Sequence, residues 1–318
     1  YSCVVREANV TTDEVSIDFI TGEHTDDKVD NDVGEITNID SFDKCENCTF
    51  RVLTQHIMTK FPKLNKIWLS YVEMEEISST AFASCDELKE LNLDANKLSS
   101  IAAGTFNKCE KLVHLSLEDN KLPVISFEMF QGLVNLEKIE LQGNLLTTLS
   151  TTIFQNLKAL KQINLVNNQL GNLTSDYFKE NTKLEELFLM SCGLNNINSQ
   201  NFKTLTNLKI LFLDKNSIED LSAGIFTGLV NIEHLFLHFN KIKKLNTDSF
   251  GQLEKLDTIY ITNNKLNETQ PNFFEQLVAL KYFIAEENVC ISENVYNMDV
   301  QNFTLTAFED CFKNWNGA

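Results

Sequence analysis

Five histidines and eight cysteines are the residues of this chain whose types could do chemistry. A general base needs a nucleophile or an orienting acid within hydrogen-bond reach, and a catalytic zinc needs three converging protein ligands. His24, His56 and His114 are scattered along the chain and bring no such partner with them. His234 and His238 lie four residues apart. On a strand that spacing places them about 13 Å apart, at ~3.3 Å per residue, too far to share an ion. His238 falls beside Asp214, 24 residues earlier, and the pair reads as ordinary polar side chains on the solvent face. Cys45-x-x-Cys48 has the spacing of a metal or redox pair. Its acidic, sequon-rich surroundings make a disulfide the better reading. Acidic residues are plentiful but show no calcium-loop periodicity. No catalytic residue, metal ligand or cofactor is therefore expected.

The remaining cysteines read structurally. Cys290 and Cys311 are expected to pair, and Cys3 to pair with Cys45 or Cys48. Cys85 and Cys109 are 24 residues apart. They are either a disulfide or two small side chains in a core position. Cys192 reads as a buried free thiol. Sequons begin at Asn9, Asn47, Asn172, Asn267 and Asn302. Together with paired-looking cysteines they point to the secretory pathway and to glycosylation.

The elements that must position these residues repeat with a period of 24. Repeats start at Leu64, Leu88, Leu112, Leu136, Leu160, Leu184, Leu208, Ile232, Leu256 and Leu280. One copy reads Leu88, Leu91, Leu93, Asn96, Leu98, Ile101, Phe106, Cys109. Its fourth and sixth residues alternate with polar ones, so each repeat supplies a short strand with one buried face. The ninth is Asn in eight of the ten copies, from Asn96 to Asn288, with Val72 and Cys192 as the exceptions. Its amide can satisfy backbone groups where the strand ends. That device is needed in a chain with only 11 Gly and 3 Pro. Phenylalanines at the nineteenth position, Phe82 to Phe274, form a stacked core column.

The expected fold is thus α/β: a leucine-rich-repeat solenoid, with a curved parallel sheet on its concave face and an irregular or short-helical convex side. A repeat cannot bury its own apolar face, so both ends need caps. Residues 1–63 are expected to form the first cap, with strands at Val15–Phe19 and around Ile36 and Ile39, an acidic loop from Thr21 to Gly34, and a degenerate repeat at Val52, Leu53, Ile57 and Phe61. The ten repeats occupy 64–288. Residues 289–318 form the second cap, in which Thr306 to Glu309 resembles a capping box. Phe308, Cys311, Phe312 and Trp315 follow on one helical face, placed to cover repeat ten.

The run from Phe82 to Leu98, FASCDELKELNLDANKL, resembles secreted insect leucine-rich immune proteins and Toll-type ectodomains. The resemblance implies secretion, protein binding and a role in innate defence. The last cap holds two cysteines where receptor ectodomains commonly have four, and no heptad coiled coil follows the repeats.

Function should lie where the repeat does not dictate the residue. The fifth position, which points out of the concave sheet, reads Trp68, Asn92, Ser116, Glu140, Asn164, Phe188, Phe212, Phe236, Tyr260, Ile284. Its second half is an apolar ladder. Met190, Ile210, His238, Phe239 and Tyr282 extend it. Each aromatic ring could bury ~150–250 Å². Asp94, Glu118 and Glu140 face the same side in the first half; they read as a solvated surface of an acidic protein or, alternatively, as the acidic half of a two-part groove for a partner with a basic and an apolar part. A net charge of −18 and the lack of any basic run argue against nucleic acid and anionic membranes. No stretch approaches the ~18–20 apolar residues of a spanning helix. The chain begins at Tyr1 without a signal-peptide pattern and reads as a mature or trimmed form. The expected function is non-enzymatic recognition of a protein or peptide. The alternatives are a structural or adhesive homodimer joined through the ladder and, less favoured because an open groove encloses little of a ligand, carriage of a small apolar molecule.

Overall fold

The computed structural model describes residues 51–174, 177–291 and 305–315, together with strands at Val4–Thr11, Glu14–Ile20 and Ser41–Phe42. The chain divides into two compact units, Tyr1–Leu145 and Leu146–Ala318. Both are coils of short parallel strands with little helix, the solenoid expected from the period.

In the first unit, Ser41–Phe42, Lys66–Trp68, Glu90–Asn92, His114–Ser116 and Lys138–Glu140 pair in parallel, one strand per repeat. The Ser41–Phe42 strand falls a few residues after Ile36 and Ile39. Those two isoleucines and the Thr21–Gly34 loop lie outside the described residues, as do Cys3, Cys45 and Cys48. Val15, Ile17 and Phe19 belong to a strand that pairs antiparallel with Val4–Thr11. Val52–Leu53 pairs in parallel with Glu76–Ile77, one period on, so the degenerate repeat joins the coil.

In the second unit, Gln162–Asn164, Glu186–Phe188, Ile210–Phe212, His234–Phe236, Thr258–Tyr260 and Tyr282–Ile284 form the same ladder. Its register is strict: Phe188 faces Phe212, Phe212 faces Phe236, and Phe236 faces Tyr260. The fixed period produces this, because each turn returns the chain to the same place one strand spacing on.

Asn side chains hold neighbouring turns together. Asn120 donates through Nδ2 to the carbonyls of Leu93, Leu117 and Glu118, and its Oδ1 accepts from the Leu98 amide. Asn216 repeats the pattern with Leu189, Leu213, Asp214 and Leu194. Each such Asn except the half-buried Asn288 is buried, so the bonds replace water that the backbone could not otherwise reach. The residue just before it is left-handed in every repeat, with φ of 51° at Ala95, 54° at Lys215 and 54° at Phe239. For most side chains that conformation costs about 1 kcal/mol or more. It is maintained because the Asn bonds fix the turn.

Cys85 and Cys109 form a disulfide, both side chains fully buried. Cys290 and Cys311 form another. Cys192 is free and buried, as expected. The last helix, Glu309–Asn314, begins after a 3-10 turn at Leu305–Phe308, with Phe308 at the N-cap position and no side-chain cap bond. The capping box expected at Thr306 is therefore not what starts it. The apolar face wins instead: Phe308 is fully buried against Phe274 (5.3 Å between ring centroids) and Phe283 (5.5 Å), closing the end of repeat ten.

Candidate functional site

The second unit's sheet face carries the aromatic residues. Leucines at the fourth and sixth positions, such as Leu211 and Leu213, are fully buried beneath it. The fifth-position rings point the other way and stack. Centroids are 4.7 Å apart for Phe188 and Phe212, 4.3 Å for Phe212 and Phe236, and 4.9 Å for Phe236 and Tyr260, with interplanar angles of 8–11°. These separations match the ~4.8 Å between strands, so backbone register imposes the stack. Stacking covers the ring faces and leaves each side chain half-buried, its outer edge facing solvent. Ile284 continues the column in the same half-buried state.

The flanks complete the surface. Along one side run Met190, Asp214 and His238; along the other run Ile210, His234 and Tyr282. Tyr282 is 41% exposed and Phe239, at a left-handed turn position, 49%. All ten ladder residues expected from the sequence thus lie on one unit. His234 is tied to Asp257 (Nδ1 to Oδ1 3.1 Å), which also pairs with Lys281.

His238 and Asp214 are not an exposed polar pair. Asp214 is only 1% exposed, and its Oδ2 lies 3.5 Å from His238 Nε2. The His238 ring sits edge-on to Phe236, Phe239 and Tyr260, with centroids 5.6–6.5 Å away. Asp214 Oδ1 and His238 Nδ1 are buried without a hydrogen-bond partner. Burial pushes the Asp214 carboxyl up, although His238 acts against this, and burial lowers His238. The only sequence signal for this pair was an acid at the seventh position between Met190 and a histidine.

The acidic residues belong to the first unit, and there they are internally engaged. Asp94 accepts from Asn92 Nδ2 (2.6 Å), the Glu118 amide (2.8 Å) and Ser116 Oγ. Its burial raises its pKa. Burial also raises Glu118, with Asp94, Asp119 and Glu140 adding to the effect. Burial opposes the charge on Glu140 too, but hydrogen bonds from His114 (3.0 Å) and Lys138 (2.8 Å) outweigh it and hold its pKa at about 2. Expected as open anionic surface, these carboxylates are instead partners of their own neighbours. Ser116, expected to point outward, is fully buried beside Asp94.

Among the described residues no three His, Cys, Asp or Glu side chains converge as metal ligands would. None of the described helices is long and apolar enough to cross a membrane. Asn172 is exposed, and Asn267 is half-buried with its Oδ1 enclosed. The side chains of Asn9, Asn47 and Asn302 lie outside the described residues.

A parallel strand and an Asn-bonded turn in every 24-residue repeat define a leucine-rich-repeat protein, and this chain is one. Residues 75–209 match the BspA-type leucine-rich-repeat region in six copies, and residues 182–242 and 231–289 match a second leucine-rich-repeat model. No curated protein matches by sequence. Among solved structures, the TLR13–ssRNA13 complex is similar at 24% identity and TM-score 0.69, over 78% of this chain and 36% of that one. The present chain therefore spans about a third of TLR13's length. The APL1 leucine-rich-repeat domain is similar at 18% identity and TM-score 0.61, over 86% of this chain and 75% of that one. An internalin (inlF) from Listeria monocytogenes is similar at 17% identity and TM-score 0.59, over 73% and 64%. Likeness at these identities establishes the fold. Leucine-rich-repeat proteins generally mediate recognition between macromolecules and are typically non-enzymatic. The two disulfides among the described residues are consistent with an extracellular protein.

Proposed function

We propose that this is a secreted, glycosylated recognition protein that binds a protein or peptide on the sheet face of its second unit. The observation that carries the reading is the stack from Phe188 to Tyr260, with Met190, Ile210, Phe239, Tyr282 and Ile284 around it. Strand register holds these side chains half in water on a rigid sheet. A surface so ordered needs little further ordering on binding, which lowers the entropic cost of association. Aromatic residues packed at the centre of a face are also the usual anchors of protein interfaces. Glycosylation at Asn9, Asn47, Asn172, Asn267 and Asn302 and a role in innate defence belong to the same proposal and rest on the sequons and the resemblance.

The TLR13 structure is a complex with ssRNA13, so the fold alone does not exclude nucleic acid. Charge favours protein here. The net charge is −18, and Glu186, Glu233 and Glu286 border the ladder with no ion-pair partner among the described residues. Phosphates would be repelled at those positions.

The test is size-exclusion chromatography with light scattering on the wild type and on a Phe212→Asp, Phe236→Asp double variant. Two monomers are expected, and the pair then serves as bait and control against secreted proteins from the same source. A wild-type dimer that the variant dissociates would replace this reading with the adhesive one. A partner that binds both proteins equally would remove the ladder from the site.

A further inference from the structure

The second unit's face contains a carboxylate in a place where a carboxylate is costly. Asp214 occupies the seventh strand position, where the adjacent repeats carry Met190 and His238, and it is 1% exposed. Its hydrogen-bonding capacity is only partly used. Oδ2 has His238 Nε2 at the long distance of 3.5 Å, and Oδ1 has no partner. Lys215, the next residue, is exposed and within electrostatic reach but makes no ion pair with it. A buried, half-satisfied carboxylate is destabilising unless something supplies the missing donor. An apolar residue would fit the turn better, as Val166 does at the equivalent position of repeat five, where it is 6% exposed.

What covers Asp214 is itself adaptable. The His238 side chain is 26% exposed, and its Nδ1 is enclosed without an acceptor, so no hydrogen bond there anchors it in place. Beside it the ring edges of Phe236 and Tyr260 form the floor on which an incoming side chain would rest. The rim supplies Glu186, Glu233 and Glu286, all without ion-pair partners among the described residues. The unpaired carboxylates of the rim and the unpartnered Asp214 Oδ1 both favour a cationic occupant.

We infer that Asp214 is the anchor for a cationic side chain, best an arginine, of a partner segment whose apolar residues lie along the Phe188–Tyr260 stack. The inference rests on the ladder being the docking face. It adds the chemistry of the occupant: basic and apolar in alternation, and not a second copy of this acidic chain. The guanidinium enters as the His238 ring turns aside and donates two hydrogen bonds to Asp214, one of them to the free Oδ1. A guanidinium suits this better than an ammonium because its planar fork matches a carboxylate and can lie against ring edges.

The probes are synthetic amphipathic peptides of one apolar pattern whose polar positions are all arginine, all citrulline or all glutamate. Citrulline keeps the shape of arginine and removes its charge. Binding is measured by titration calorimetry to the wild type, to Asp214→Asn and to Phe212→Asp, Phe236→Asp. The arginine peptide is expected to bind the wild type at least about tenfold more tightly than the citrulline peptide, the scale of one charged hydrogen-bonded pair. Asp214→Asn should erase that preference and leave citrulline binding unchanged, and the glutamate peptide should not bind. An arginine preference that survives Asp214→Asn overturns the anchor, as does the absence of any preference in the wild type. If the ladder variant keeps full binding, the docking face itself is wrong. If the ladder variant loses binding while Asp214→Asn does not, the face stands and only the anchor falls. If no peptide binds the wild type, both fall.

Discussion

A single side chain repeated at one position does more to define this fold than any local propensity. Each ninth-position Asn reaches two turns, and one of the two exceptions, Cys192, shows what the amide supplies. Cys192 donates through Sγ to the Leu165 carbonyl at 3.1 Å, covering one of the bonds that Asn makes elsewhere. It offers no oxygen to the Leu170 amide, which stands where Leu98 and Leu194 stand relative to Asn120 and Asn216. Burial pushes the thiol pKa up to about 12, so Cys192 is an inert filler and not a nucleophile. Replacing it with the residue the repeat asks for should therefore help. Cys192→Asn is expected to stabilise the second unit by about 1 kcal/mol, the net worth of one buried hydrogen bond. Urea denaturation of the two proteins measures it; an unchanged or lower midpoint would mean that the turn of repeat six has adapted to sulfur.

At the scale of elements, the strands are too short to be stable alone, and each is held by its neighbours. A covalent tie between turns should then be felt across the unit that contains it. Cys85–Cys109 closes a loop of 24 residues in the first unit. Cys85→Ala, Cys109→Ala is expected to lose about 3 kcal/mol by the loop-entropy estimate, with its midpoint no longer shifted by reductant at this site. A loss below about 1 kcal/mol would mean that the stacked turns already restrict the unfolded chain. This pairing also marks a limit on what sequence reveals. The 24-residue spacing put the two sulfurs one strand apart, but a disulfide and two small core residues satisfy that spacing equally. The strands, the Asn turns and the Phe column could be read directly, because burial at fixed intervals leaves a periodic trace. The left-handed residues before each Asn could not. Ala95, Lys215 and Phe239 carry no mark of a conformation that their neighbours' hydrogen bonds impose. The ladder was legible as a column of aromatics, and its stacking followed from register. The burial of Asp214 was not, since a polar residue at an outward position reads as exposed until the packing around it is known.

For the molecule as a whole, the ladder and the charge oppose each other. The exposed ring edges favour contact between copies, while a net charge of −18 keeps copies apart at neutral pH. The balance should tip on acidification. Burial raises the pKa of Asp94, Glu118 and Asp214, so these groups take up protons earlier than ordinary carboxylates as pH falls. Net charge reaches zero near the pI of about 4.7. Light scattering is expected to find a monomer at about pH 7 and growing association as the pI is approached, the usual consequence of losing net charge. If the ladder is the contact, Phe212→Ser, Phe236→Ser should associate less at every acidic pH. Serine is the right replacement here, because aspartate would also shift the pI and confuse the comparison. Added salt gives an independent check at neutral pH: screening shortens the reach of the repulsion to about 3 Å at 1 M, so the wild type should begin to associate there and the serine variant should not. Equal association of the two proteins under both conditions would mean that the stacked rings satisfy one another, and that the acidic surface serves only to keep the protein soluble.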